Sequence, residues 1–452
     1  MAADPVDPQR QVGPAPVSLA DASRFWLQLG VVSFGGPAGQ IALLHRELVE
    51  RRRWLSERRY LHALNYCMLL PGPEATQLAT YLGWLMHGVP GGLIAGGLFL
   101  LPSVLVLTLL SSVYVHWGQL PLLVAVFAVL KPAVLAIVVV SAWRLGRRAL
   151  RSFWLAGIAL AAFLALAVLG LPYPLVVGVA ALTGALVGRW RPEALLLPPP
   201  LGPAVAGLVP GPAQALLQPE PIHGDHTPTP AHARFNRRRL ARTLLIWALA
   251  LILPLAMLTA MAGWNGTLPL MARFFTRVGL LSFGGAYAVL PYVAQGAVEQ
   301  FGWLSAAQMV DGLALGETTP GPLIMVVAFV GFMGGWTTGA GAVAATLVTV
   351  WFTFLPSFGF ILVGAPLVEA SRDNLRIGAP LTAITAAVVG VIASLALFFA
   401  GPVLWPAGRF DAAAALVAGL AMLALVRWHW SVLQLIGVAA GLGVLMQLLA
   451  PR

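Results

Sequence analysis

Ser33-Phe34-Gly35-Gly36, Trp54-Leu55-Ser56 and Pro71-Gly72-Pro73 return along the chain as Ser282-Phe283-Gly284-Gly285, Trp303-Leu304-Ser305 and Pro320-Gly321-Pro322. All three pairs keep one offset, 249 residues (282 minus 33), and Arg24-Phe25 and Arg273-Phe274 keep it too, so the match runs ungapped from about residue 24 to 73. The chain is an internal duplication. Each copy sets Gly and Pro inside strongly apolar sequence. That predicts a pair of interrupted hydrophobic helices, the sequence pointer to a transporter's binding site.

Composition agrees. The 452 residues are 59% hydrophobic and 10% charged, with a mean hydropathy of +0.86. A water-soluble domain carries about a quarter of its residues as charges, so this chain reads as an all-α polytopic membrane protein. The net charge of +11 does not point to nucleic acid, because the arginines sit in short clusters between apolar runs, where topology uses them. A single cysteine, Cys67, excludes an intrachain disulfide and a multi-thiolate metal or iron–sulfur site. Residues 1–23 hold three aspartates and four prolines without an apolar run, which predicts a cytoplasmic tail and no cleavable signal.

Runs long enough to cross roughly 30 Å of hydrocarbon lie near 92–116, 121–141, 153–171, 174–188, 241–262, 341–365, 378–400, 411–426 and 430–449. Four more are interrupted, near 24–44, 60–88, 273–294 and 309–337, giving about 13 hydrophobic segments. The expected organisation is a tail at 1–23, a first transporter repeat at 24–191, a Pro-rich cytoplasmic linker at 192–240, a connecting transmembrane helix at 241–262 and a second repeat at 263–452. Strands are not expected, since the runs lack period-two alternation and lipid demands internal satisfaction of the backbone.

Charge decides how the copies face. The loop after the first SFGG holds Arg46, Arg51, Arg52, Arg53, Arg58 and Arg59, and such loops stay in the cytoplasm. Its counterpart near 294–312 has no Lys or Arg and carries Glu299 and Asp311, which predicts an external loop. The same elements on opposite sides define an inverted repeat, in which the SFGG and PGP segments are re-entrant and each returns to its own side.

The motif set, SFGG, then W-L-S, then L-P-G-P-E-A-T-Q-L-A-T-Y-L-G-W, with SFGG and G-E-T-T-P-G-P-L-I in the second half, resembles the chromate ion transporter family in its two-domain long form. The likeness covers roughly 24–116 and 273–365. It implies an inner-membrane, multi-pass protein of bacteria that exports chromate from the cytoplasm on the proton-motive force, with sulfate as a competing oxyanion, metal resistance as the outcome and a homodimer as one assembly. Phe34, Gly35, Gly36, Pro71, Gly72, Pro73, Glu74 and their partners, with Glu317, carry that resemblance.

The residues themselves suit a tetrahedral dianion. A helix start offers unpaired N–H groups and about half a positive charge. Pro73 and Pro322 can open half-helices, and Gly72 and Gly321 let the backbone turn close to a ligand. Ser33, Ser282, Thr76, Thr318 and Thr319 add hydroxyls, and Phe283, Gly284, Gly285 and Pro320 complete the second copy. Small residues also serve close helix packing. Lys131, the chain's only lysine, can face a pore, snorkel or pair with a carboxylate. Arg24 and Arg273 suit an anion path or an interfacial anchor. Glu317 and Glu74 are the proton-coupling candidates, Glu317 ahead because Glu74 sits at a helix start that keeps it ionised. His223, His226 and His232 read as solvated linker rather than metal ligands, and Trp54 and Trp303 as interfacial anchors. No Walker A, HExxH or GxSxG pattern occurs, so no catalytic residue, metal or cofactor is expected. A passive oxyanion channel built from the same elements is the alternative to a transporter.

Overall fold

The SFGG and PGP breaks divide each half of the chain into short helices before its long ones. A computed structural model describes residues 17–190, 221–225, 227, 230, 232–370 and 378–449. Its first half runs α1 (Leu19–Val32), α2 (Gly36–His45), a π turn (Arg46–Arg51), α3 (Glu57–Leu69), α4 (Glu74–Trp117), α5 (Pro121–Ala149), α6 (Phe153–Ala167) and α7 (Tyr173–Trp190). After α8 (Arg237–Ala262) come α9 (Thr267–Leu281), α10 (Ala286–Ala294), a second π turn (Gln295–Gln300), α11 (Ala306–Thr318), α12 (Val326–Thr337), α13 (Ala342–Ala370), α14 (Gly378–Leu404), α15 (Ala412–Val426) and α16 (Val432–Leu449). Among the described residues no strand forms beyond one isolated bridge, Leu55 to His223.

The duplication therefore extends past the motifs to the last helix. Both π turns fall at one repeat position, and the helices after them are both 13 residues long and start behind a serine N-cap, Ser56 or Ser305. α4 bends at His87-Gly88, where Gly88 takes φ +67°. The second half breaks outright at the matching point, between α12 and α13. Among the described residues seven helices have the length and apolarity to cross a membrane; α6 and α15, at 15 residues each, are the shorter of the nine expected runs. α8 buries no residue and exposes Leu245, Ile252, Leu253 and Met261, the surface of a helix solvated by lipid. Residues 1–16 and 192–220 of the expected tail and linker lie outside the described residues; α1 already begins at Leu19, inside the expected tail.

α5 and α14 pack together at the middle. α6 and α7 lie against α14, while α15 and α16 lie against α5, so the two repeats exchange partners. Glycines permit the approach: a Cβ on Gly390 would stand 2.0 Å from the Ala159 carbonyl oxygen, and one on Gly443 2.5 Å from the Val126 Cα. Gly30 and Gly279, at one repeat position, do the same for α1 on α4 and α9 on α13. Trp54 and Trp303 are buried, not interfacial: their rings meet Phe25 at 4.8 Å and Phe274 at 5.7 Å, and pin the loop back onto α1 and α9.

The end of the expected linker is not solvated either. Ile222 and His223 donate their N–H groups to the Arg53 and Trp54 carbonyls, and the His232 ring meets the Trp84 carbonyl at 3.0 Å. His226 lies outside the described residues. Burial, then the positive Arg59 nearby with His232 and His87, lowers the His223 pKa to about 4; Glu369 opposes this. Docked His223 is thus neutral, whereas a released one protonates near 6.5. Docking is complete above about pH 6.5 and weakens as pH falls from there toward 4. Hydrogen exchange at residues 221–225, corrected for its intrinsic pH dependence, is expected to lose protection between pH 7.5 and 5, and His223→Phe to abolish that difference.

Candidate functional site

Each PGP break is tied to the SFGG break of the other repeat. The Gly72 N–H donates to the Ser282 carbonyl at 3.0 Å, and the Gly321 N–H donates to the Ser33 carbonyl at 2.6 Å. Interrupted helices leave backbone groups that apolar surroundings cannot satisfy, and here the two repeats satisfy each other's. Gln40 reinforces one crossing, its side-chain amide donating to the Gly321 carbonyl at 2.6 Å and the Ser33 carbonyl at 3.4 Å. Gly72 and Gly321 take φ +137° and +109°, in the region that favours glycine.

Space enforces glycine as well. A Cβ on Gly72 would come within 2.2 Å of Ser357 Oγ, and one on Gly321 within 1.7 Å of Ser103 Oγ. Ser357 belongs to α13 and Ser103 to α4, so each PGP turn is faced by the other repeat's long helix. Ser103 donates its hydroxyl to the Pro320 carbonyl. Both serines close a Leu-Pro-Ser triplet, 101–103 and 355–357. That third repeated motif was there to be read, but its offset differs from 249 and an ungapped comparison passes over it.

The two turns differ in how their hydroxyls are used. Ser282 donates to the Gly279 carbonyl, Thr318 to Leu315 and Thr319 to Gly316, so the second copy's hydroxyls are spent on their own helices. By contrast, Ser33 Oγ, Thr76 Oγ1, Gln77 Oε1 and Ser357 Oγ are buried without a hydrogen-bond partner, at 0 to 1% exposure. Ser357 and Gln77 adjoin Gly72, and Thr76 lies in the first turn of α4, whose start at Pro73 has no side-chain cap. Buried polar groups left open need a partner. Pro71, Pro73, Pro320 and Pro322 are buried beside the glycines; Phe34, Gly36, Phe283 and Gly285 are partly exposed, and Gly35 and Gly284 exposed.

Other expected residues lie elsewhere. Arg24 is exposed and faces Asp21 at 3.7 Å, while Arg273 stacks its guanidinium 3.8 Å from the centre of the Trp264 ring. Both stand about 13 Å along their helices from the SFGG break, so neither joins the site. Lys131 pairs with Asp311 at 3.3 Å, and Asp311 also accepts from the Tyr114 hydroxyl at 2.8 Å. Asp311, expected in a solvated loop, is instead 4% exposed within α11. Lys131 thus takes the carboxylate-pair reading, and the ion pair joins the two repeats. Glu317 accepts from Tyr287, and Glu74 opens α4. The open groups at Gln77 and Ser357 escaped sequence reading, since an amide or hydroxyl inside an apolar helix carries no pattern of its own.

The chromate transporter family model matches residues 20–185 and 270–444. A chromate transport protein of Pseudomonas aeruginosa is 32% identical over 388 residues, 85% of this chain and 82% of its own. A probable chromate transport protein of Synechococcus elongatus is 30% identical over 376 residues, 83% of each. An uncharacterized transporter of Bacillus subtilis is 31% identical over 116 residues, 26% of this chain but 65% of its own, so that protein has about the length of one repeat. No solved structure matches the chain. The interrupted helices and the doubled architecture therefore stand in a protein that belongs to the chromate transporter family.

Proposed function

We propose that the chain is an inner-membrane secondary transporter, built as an inverted repeat, that exports chromate from the cytoplasm on the proton-motive force and accepts sulfate as a competing oxyanion. The observation that carries this reading is the group of buried, unpartnered hydroxyls on Ser33, Thr76 and Ser357 beside the reciprocally bonded PGP turns. A tetrahedral dianion needs several donors converging without a full countercharge. Three hydroxyls and the free N–H groups of a helix start supply them, and the helix start adds about half a positive charge. The likeness to two chromate transport proteins supplies the substrate.

In this reading the SFGG and PGP segments are re-entrant and the arginine-rich end, with Arg46, Arg51, Arg52 and Arg53, is cytoplasmic. The two repeats rock about the bonded breaks, and Glu317 carries the proton. Purified protein in liposomes is expected to drive chromate flux that rises with an imposed pH gradient and falls with excess sulfate. Glu317→Gln loses more of the gradient-driven part than Glu299→Gln, which lies on an exposed turn. Flux indifferent to the gradient would make the protein a passive channel.

Opposite facing is open to a labelling test. Arg51 and Gln300 are equivalent by the repeat, both exposed, and both end a π turn. Single cysteines at these positions, in a Cys67→Ser background, are expected to react oppositely with an impermeant maleimide added to intact cells. Equal reaction of both removes the inversion.

The turns themselves give the third test. Gly72→Val and Gly321→Val put a branched side chain on left-handed backbone, a cost of about 1–2 kcal/mol, and into space already filled by Ser357, Gln77 and Ser103. Both are expected to insert and to lose export by more than tenfold. Gly97→Val is the control, because a Cβ there meets nothing within 4 Å. Gly91, also inside α4, cannot serve, because a Cβ there would stand 2.3 Å from the Gly83 carbonyl oxygen. Normal chromate export by both PGP variants would move the binding site elsewhere.

A further inference from the structure

Away from the PGP turns, Arg58, Arg59, His62, Asp225 and Glu369 line a polar cavity of about 90 Å³. That is several times the roughly 10–15 Å³ that one water requires, enough to admit a small anion. Three parts of the chain build it: the start of α3, the segment that joins the repeats, and the end of α13. Arg59 is only 8% exposed and donates from Nη2 to the Thr227 carbonyl, while His62 Nε2 is buried without a hydrogen-bond partner. Glu369 accepts from the Tyr81 hydroxyl at 2.7 Å, and Asp225 accepts from the Ser56 hydroxyl at 2.5 Å.

The arginines stand where helix physics disfavours them. Arg58 and Arg59 occupy the first turn of α3, behind the N-cap Ser56, at the positive end of the helix dipole, where cations are normally avoided. Glu57, the one acid of that turn, is engaged by His45 at 2.6 Å. Two guanidiniums thus share one small cavity with the carboxylates of Asp225 and Glu369. α3 then runs from this cavity to Leu69, immediately before the first PGP turn, about 18 Å from Arg59 to Pro71.

We infer that Arg58, Arg59 and His62 form an oxyanion-receiving vestibule at the mouth of the first repeat, with Asp225 of the joining segment as its built-in competitor. The inference rests on the transport reading above. Asp225 and Glu369 balance the two arginines, so an arriving oxyanion is held weakly and passed on. That suits an intake station, where tight binding would stall transport. The segment between the repeats accordingly contributes a wall and a charge to the pathway.

Kinetics of chromate uptake into inverted membrane vesicles test this. Arg59→Gln is expected to raise KM about tenfold by loss of electrostatic focusing, and Arg58→Gln about threefold, with the maximal rate unchanged in both. Asp225→Asn keeps the acceptor for Ser56 and removes only the charge, so it is expected to lower KM about threefold, an effect that fades at high salt. A structural role for the cluster would not give opposite shifts from opposite charges. An unchanged or raised KM in Asp225→Asn, in vesicles whose wild-type flux is normal, overturns the vestibule and leaves the transport reading standing. Absence of chromate flux in the wild type overturns the transport reading itself.

Discussion

A helix broken inside an apolar medium leaves backbone donors and acceptors that neither water nor lipid can satisfy. In this protein that constraint is met across the duplication: the Gly72 N–H goes to the Ser282 carbonyl and the Gly321 N–H to the Ser33 carbonyl. Much else follows from it. The PGP glycines need positive φ to present those N–H groups, the facing Leu-Pro-Ser segments need small serines to leave them room, and Gln40 is fixed by the carbonyls that remain. Neither repeat can complete its own breaks.

The duplication gives two similar turns, yet their side chains divide the labour unequally. Around Pro320-Gly321 the hydroxyls of Ser103, Thr318 and Thr319 close onto nearby carbonyls. Around Gly72, Ser357 and the Thr76 and Gln77 pair stay open. The helices that follow the two π turns differ as well. Asp311 stands at the repeat position of His62, and where His62 neighbours two arginines, Asp311 neutralises the only lysine. A symmetric scaffold has thereby acquired a chemical direction.

How much of this was legible depended on the length scale of the signal. Helical class, the duplication and the breaks were plain, because Gly and Pro in apolar runs and a constant offset are strong local marks. The continuation of the repeat through α7 and α16 was hidden, since lipid-facing helices preserve hydrophobicity rather than residue identity. Trp54, Trp303 and Asp311 were misplaced for one reason: loops beside interrupted helices fold back into the core, so a residue near a break is buried where position alone suggests exposure. Lys131 needed its partner, 180 residues away in sequence (311 minus 131), to be understood. The docked end of the joining segment was invisible because its contacts are mostly backbone hydrogen bonds, which composition does not record.

The exchange of α6 and α7 onto α14, and of α15 and α16 onto α5, has a consequence for synthesis. Ala159 meets Gly390, which the ribosome adds about 230 residues later, a wait on the order of 10–50 s at ordinary rates of synthesis. For that interval the first repeat sits in the bilayer with its small-residue faces open to lipid, a folding intermediate imposed by topology. A protein of one-repeat length, such as the Bacillus subtilis relative, has no second repeat of its own to wait for, and a shared architecture would require it to find those faces on another chain.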